Sequence, residues 1–331
     1  MTTQHGVLSS EYQKVVVFDT NAYRNLTHGL SVQEAKDTAR RLADVELAGG
    51  YKALANPYVI WELLSHLAII EDPAYSICQC ALVALVEHTR AQDDAEGGVC
   101  RVADGETELM RQLFGKQSSI AEQNAQSLSC LASYVWKFAP ELTDSNAQTN
   151  FEIFAAKMNE LESRWLDNME DLLMSLRSEQ TAISNGKDDG DTSLKSKRKY
   201  LNSSGFERAC SEGKVLSLSS LLGLALSEDG LKVLTDRLQE IFPVSLRLMR
   251  KTIAGWYDAP EVNLRSAKKK RANFIWDTAL CFGIGPEHQI GDAGILFVTD
   301  DRAIVDACVA ADCSDSVLDF QNYKASISFV S

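Results

Sequence analysis

Asp19, Glu62, Asp277 and Asp301 are the residues whose types and placement could do chemistry. Asp19 ends the run Lys14-Val-Val-Val-Phe-Asp-Thr-Asn21, and Asp301 ends Gly294-Ile-Leu-Phe-Val-Thr-Asp-Asp301. Near-continuous apolar runs of this kind are expected of parallel strands covered on both faces. The C-terminal ends of such strands are where open α/β sheets place their ligands. Glu62 and Asp277 lie in segments with helical spacing. Carboxylates gathered at one sheet edge repel one another unless a cation neutralises them, so the four acids predict a divalent metal site. Mg²⁺ and Mn²⁺ take hard oxygen ligands and keep several waters, so few carboxylates are needed for each ion. Hydrolysis at such a centre needs no histidine base, which suits a chain with five scattered histidines.

Each acid also has a plainer reading. Asp19 can cap the helix that follows it. Glu62, flanked by Ile60, Trp61, Leu63 and Leu64, can point to solvent, and Asp300 and Asp301 can be ordinary loop acids. Asp277 fits a solvated reading poorly. It sits in the apolar segment Phe274-Ile-Trp-Asp-Thr-Ala-Leu-Cys281, where an unpaired charge would cost several kcal/mol. The coincidence of all four weighs more than any one of them.

Positioning these acids requires strands and helices at both ends of the chain. Strand 14–18 is followed by helical spacing from Asn21 to about Gly49, then a short strand at 51–55. Asn56-Pro57 starts the helix that carries Glu62, with Asn as cap and Pro at the first helical position. From about residue 74 to 255 the composition is helical throughout, interrupted by the polar stretch Ser184-Asn-Gly-Lys-Asp-Asp-Gly-Asp191, which reads as an exposed loop. A helix over about 264–282, a strand over 295–299, a helix over 302–311 and a last short strand near 316–320 complete the pattern. The expected architecture is α/β, with residues 1–73 and 256–331 forming one discontinuous domain around a helical insertion at 74–255.

These motifs resemble the PIN domain nucleases. The resemblance rests on Val-Val-Phe-Asp19-Thr-Asn21, the Trp-Glu62-Leu helix, the Asp277-Thr-Ala-Leu helix and Val-Thr299-Asp-Asp301, in the family's order. It covers 14–72 and 264–325 and leaves out the helical middle. It implies a three-layer α/β/α fold with a central parallel sheet and Mg²⁺- or Mn²⁺-dependent cleavage of phosphodiester bonds, RNA favoured over DNA. It assigns the four acidic roles to Asp19, Glu62, Asp277 and Asp301. The Thr-x-Asp spacing selects Asp301, with Asp300 as an outer ligand or exposed neighbour. Thr20, Asn21 and Thr299 are candidates to orient the carboxylates by hydrogen bonds. Two alternatives remain. One is a catalytically silent scaffold that binds RNA or protein through its helical middle. The other is a haloacid-dehalogenase-like phosphatase, which needs a second acid where this chain has Asn21.

Substrate contacts are sought among local cations, because a net charge of −13 excludes a general polyanion-binding surface. Segment 247–271 holds eight Lys or Arg against Asp258 and Glu261. Within it, Lys269, Lys270 and Arg271 precede Asp277 on the same helix, with Lys270 two turns away on nearly the same face. Lys195, Lys197, Arg198 and Lys199, beside Tyr200, form a second cluster suited to a phosphate backbone and a stacked base. His66, one turn after Glu62, is a third candidate. The solvated-surface reading stands beside each of these. The eight cysteines show no zinc spacing and are expected to be reduced thiols. No stretch approaches the ~18 apolar residues of a membrane span, and no basic-then-apolar leader opens the chain, so a cytoplasmic protein without membrane contact is expected. The helical middle could position substrate, mediate self-association or receive a protein regulator.

Overall fold

The computed structural model describes residues 14–90, 98–100, 102, 105–116, 119–139, 145–184, 190–259, 264, 268–285, 289–290 and 293–330. For 106, 145–146, 177–184, 190–194, 268–272 and 290 it describes the backbone alone. The N-terminal half runs β1 (Lys14–Phe18), α1 (Thr20–Leu26), α2 (Val32–Ala48), β2 (Tyr51–Ala53), α3 (Pro57–Ser65), α4 (Tyr75–Thr89), α5 (Gly105–Phe114), α6 (Ser119–Phe138) and α7 (Ser145–Ser184). The remainder runs α8 (Gly190–Leu201), α9 (Ser204–Leu221), α10 (Glu228–Ile241), α11 (Pro243–Asp258), α12 (Lys268–Cys281), β3 (Gln289–Ile290), β4 (Ala293–Val298), α13 (Arg302–Ala310), β5 (Val317–Leu318) and α14 (Phe320–Ser326).

The chain is mixed α/β, mostly helical, around one small sheet. Strand β1 lies between β2 and β4 and pairs with both in parallel, with Phe18 opposite Val298. β5 adds to β4 in parallel, and the two-residue β3 adds to it in antiparallel. Residues Val15 to Phe18 are all buried, as the apolar run predicted. Because β1 and β4 are neighbours, the chain's two sequence-distant ends meet along one register. Asp19 therefore stands beside Thr299, its backbone N–H bonded to Val298 O at 3.0 Å.

Three local features depart from the sequence reading. Residues 21–49 form two helices rather than one. Gly29 takes a left-handed φ of 76°, and Ser31 with Glu34 makes a reciprocal cap that restarts the chain as α2. The strand expected near 316–320 shortens to Val317–Leu318, and Asp319 caps the added helix α14. The antiparallel β3 was not foreseen, being only two residues long.

The largest buried cluster joins the sheet to α1 through α4, to α6 and to the start of α7. Helix α4 is buried all round from Cys78 to Thr89, as expected for a helix enclosed on every side. Two smaller clusters lie among α5, α9 and α10 with Phe242 and Phe282, and among α7, α8, α9 and α11. Trp256 and Tyr257 pack in the latter. Gly105 is where α5 abuts α12, since a Cβ there would come within 2.5 Å of Ala279 O. No helix among the described residues is long and apolar enough to cross a membrane.

Candidate active site

The four acids come from four different elements and face one another at the C-terminal ends of β1 and β4. Asp19 leaves β1 and caps α1, its Oδ1 accepting from Ala22 N at 2.6 Å. Its Oδ2 accepts from the Thr299 hydroxyl at 2.5 Å. Thr299 also accepts from Asp301 N at 3.0 Å, so one buried hydroxyl ties the two strand-end aspartates together. Asp301 caps α13, with Oδ1 accepting from Ala303 N at 2.6 Å and Ile304 N at 3.3 Å. The capping and ligand readings are thus compatible, because each cap uses only part of a carboxylate's capacity.

Glu62 reaches the site from α3. Its Oε2 accepts from Thr20 at 2.6 Å, and its Oε1 lies 3.5 Å from Arg24. Asp277 reaches it from α12 with no hydrogen bond or ion pair to any described residue. Burial pushes the Asp277 carboxyl up to about 8, and the charges of Asp301, Glu62 and Asp19 push it further in that direction. Burial likewise raises Asp19 to about 7 against the opposing hydrogen bonds from Thr299 and Ala22, with Glu62 and Asp300 adding to the rise. Asp277 thus feels the other three acids and Asp19 feels Glu62, and the chain offers little positive charge in return.

Asp300 has a different environment. Its carboxylate takes the side-chain amide of Asn25 and the Phe320 backbone N–H, which ties α1 to the start of α14. Asn21 is exposed, whereas Thr20 is buried against Glu62. His66 turns to Asp72, with Nδ1 at 2.9 Å from Oδ2. The side chains of Lys269, Lys270 and Arg271 lie outside the described residues. Much of the remaining 247–271 charge is already used inside the fold. Arg247 and Arg250 pair with Glu207, and Lys251 pairs with Asp306 at 2.8 Å. In the second cluster Lys197 Nζ donates to Leu176 O, Arg198 pairs with Asp258, and Tyr200 packs edge-on against Phe206.

Arg24 was not anticipated as a site residue. Four positions after Thr20, it shares that residue's helical face, and this spacing was the available signal. Its Nε is buried without a hydrogen-bond partner among the described residues.

The donor set suits Mg²⁺ or Mn²⁺, since it is all carboxylate oxygen with threonine hydroxyls behind it. Among the described residues, however, no three His, Cys, Asp or Glu side chains converge closely enough to hold a metal ion. The acids are gathered and mutually repelling but not drawn to a point. No protein-family model, curated protein or solved structure matches the chain.

Proposed function

We propose that the chain is a Mg²⁺- or Mn²⁺-dependent nuclease of PIN type that hydrolyses phosphodiester bonds, in RNA rather than DNA, with the three-layer α/β/α arrangement of that family and a helical region between its two halves. The observation that carries this reading is the set of four carboxylates from four elements at one sheet edge, two of them raised to about 7 and 8 by burial and mutual charge. A fold gains nothing by holding such a group uncompensated. A bound cation would compensate it.

Asp19, Glu62, Asp277 and Asp301 would hold the metal, which when bound would activate water and neutralise charge on the phosphate and the leaving oxygen. Hydrolysis forms a bond from water oxygen to phosphorus, breaks the ester P–O bond and leaves the proton on the departing oxygen. The chain's own part is positioning. Thr299 holds Asp19 and Asp301 together, and Thr20 with Arg24 holds Glu62. Asp277 keeps a proton near neutral pH until its charge is answered.

The test is cleavage of end-labelled single-stranded RNA and DNA in Mn²⁺, Mg²⁺ or EDTA. The expected result is metal-dependent RNA cleavage, falling roughly 10²-fold or more in Asp19→Asn and in Asp277→Asn, since a lost metal ligand removes several kcal/mol of transition-state stabilisation. Cleavage that persists in EDTA or in both variants would overturn it. The alternative of a silent scaffold is favoured by Arg24, which already answers part of the charge of Glu62. It predicts no response of melting temperature to divalent ions.

A further inference from the structure

A cavity lies against the helices that carry two of the acids. Trp61 and Trp276 immediately precede Glu62 and Asp277. Successive residues project about 100° apart around a helix, so α3 and α12 turn their acids toward the sheet edge and their indoles elsewhere. The indoles line a cavity of about 490 Å³ between α3, α12, α6 and α7, joined there by Tyr58 and Trp165. This falls within the ordinary size range of small-ligand pockets. The indole N–H groups are already engaged, Trp61 with Phe154 O at 3.0 Å and Trp276 with Glu162 at 3.0 Å. These bonds anchor the rings. The rings do not stack flat on each other, their planes being tilted by 55°.

The α7 wall is unusual for a helix that faces a cavity. Lys157, Leu161, Arg164 and Asn168 line it at spacings of four, three and four, one continuous stripe. Three of these four are polar where an ordinary packing stripe is apolar. Lys157 and Arg164 are exposed at the rim, and neither has an acidic partner among the described residues. In a chain of net charge −13, two exposed cations over an aromatic floor suit a ligand that is both planar and anionic.

We propose that this cavity binds one unpaired nucleotide, its base against the Trp61, Trp165 and Trp276 walls and its phosphate at Lys157 and Arg164. Stacking on aromatic side chains is tolerant of base identity, so the pocket would accept nucleotides without sequence readout. The nuclease reading bears only on the source, which would then be a nucleotide of the substrate strand. The cavity and its charge stand without that reading.

Tryptophan fluorescence in EDTA tests this without any cleavage. Adenosine monophosphate, a short oligoadenylate and inorganic phosphate would be titrated into the wild type, Lys157→Glu/Arg164→Glu and Asp19→Asn. Saturable quenching by a nucleotide ligand is expected, unchanged in Asp19→Asn and weakened about tenfold or more by the charge reversal. Inorganic phosphate alone should not quench. Asn124→Trp, which fills the cavity from α6 and leaves the cations intact, should also abolish binding. Quenching by the oligonucleotide alone assigns the site to a strand, and equal quenching by the mononucleotide assigns it to a free nucleotide. Absence of quenching by both, or binding insensitive to the charge reversal and to Asn124→Trp, overturns the proposal. Nucleotide binding without metal-dependent cleavage would sink the nuclease reading and leave the pocket standing.

Discussion

Glu207 and Asp277 are both acids set into helices of this molecule, and the fold treats them in opposite ways. Glu207 on α9 is buried and met by two arginines, Arg247 at 2.5 Å and Arg250 at 2.6 Å. Glu87 on α4 is treated alike, with Arg40 at 2.8 Å, Arg90 at 3.0 Å and the Trp136 indole at 2.7 Å. Asp277 has no such partner among the described residues, and its carboxyl is pushed up to about 8. Asp19 has a hydroxyl and a backbone N–H but no cation. The chain therefore gives arginines to Glu207 and Glu87, whereas at the sheet edge Arg24 reaches Glu62 and leaves Asp19 and Asp277 without a cation among the described residues. Paired acids such as Glu207 organise packing between helices. An uncompensated cluster instead carries a free-energy cost that something outside the chain can relieve.

Breaking the well-compensated site should have the larger effect. Arg247→Met/Arg250→Met would strand the Glu207 carboxylate in the interior and cost about 3–5 kcal/mol, read by urea unfolding. Adding Glu207→Gln should restore much of that loss. An unchanged stability in the arginine variant would mean that Glu207 is better solvated than its burial indicates.

The same operation at the sheet edge should have the opposite sign. In metal-free protein, Asp277→Asn should stabilise the fold, and the gain should depend on pH. The folded-state value of about 8 lies above the ordinary 3.8. Below 3.8 the carboxyl is protonated in both states and costs nothing. Between 3.8 and 8 the unfolded chain releases the proton while the folded one retains it, so wild-type stability from this group falls as pH rises, and above 8 the full cost is present. The advantage of the variant should grow from none near pH 4 to a few kcal/mol at pH 8, measured by urea unfolding in EDTA. A flat difference across that window would show that Asp277 is solvated, and the contrast with Glu207 would disappear.

The two sites were not equally legible in the sequence. The strand-end aspartates stood out because unbroken apolar runs lead straight into them, and Asn56-Pro57 marked the start of the Glu62 helix. What stayed hidden required long-range juxtaposition. Nothing near Arg24 in the chain announces Glu62, which is 38 positions away. Nor does anything near Arg247 announce Glu207. Segment 247–271 read as a basic patch because composition counts charges without their partners, and three of its cations are in fact tied to Glu207 and Asp306. Helix α4 looked like the start of the helical middle because its apolar residues run on without strand alternation. Its burial on every side against the sheet cluster is a property of the packing around it.

Divalent metal should act on one site and leave the other untouched. At a hundredfold excess over Kd, Mn²⁺ should stabilise the wild type by about 2.7 kcal/mol, seen as a rise in melting temperature. The rise should be larger at pH 8 than at pH 6, since metal must displace the protons held at the raised carboxyls of Asp19 and Asp277. Asp19→Asn should abolish it, and Arg250→Met should not. A metal response insensitive to Asp19→Asn would place the bound ion elsewhere.

The smallest expected effect separates the two adjacent aspartates after β4. Asp301 uses one oxygen to cap α13 and keeps the other free of hydrogen bonds to described residues. Asp300 spends both oxygens, one on Asn25 and one on the Phe320 N–H. It is also exposed, so its bonds compete with water and contribute little net stability. Asp300→Asn should therefore cost less than about 1 kcal/mol and leave the Mn²⁺-induced shift in melting temperature as in the wild type. Asp301→Asn should remove that shift. The neutral amide can still accept the α13 N–H bonds, so its metal-free stability should stay close to that of the wild type. If the shift instead followed Asp300, the spare oxygen of Asp301 would have no chemical task. The cluster of acids would then centre nearer α14 than α12.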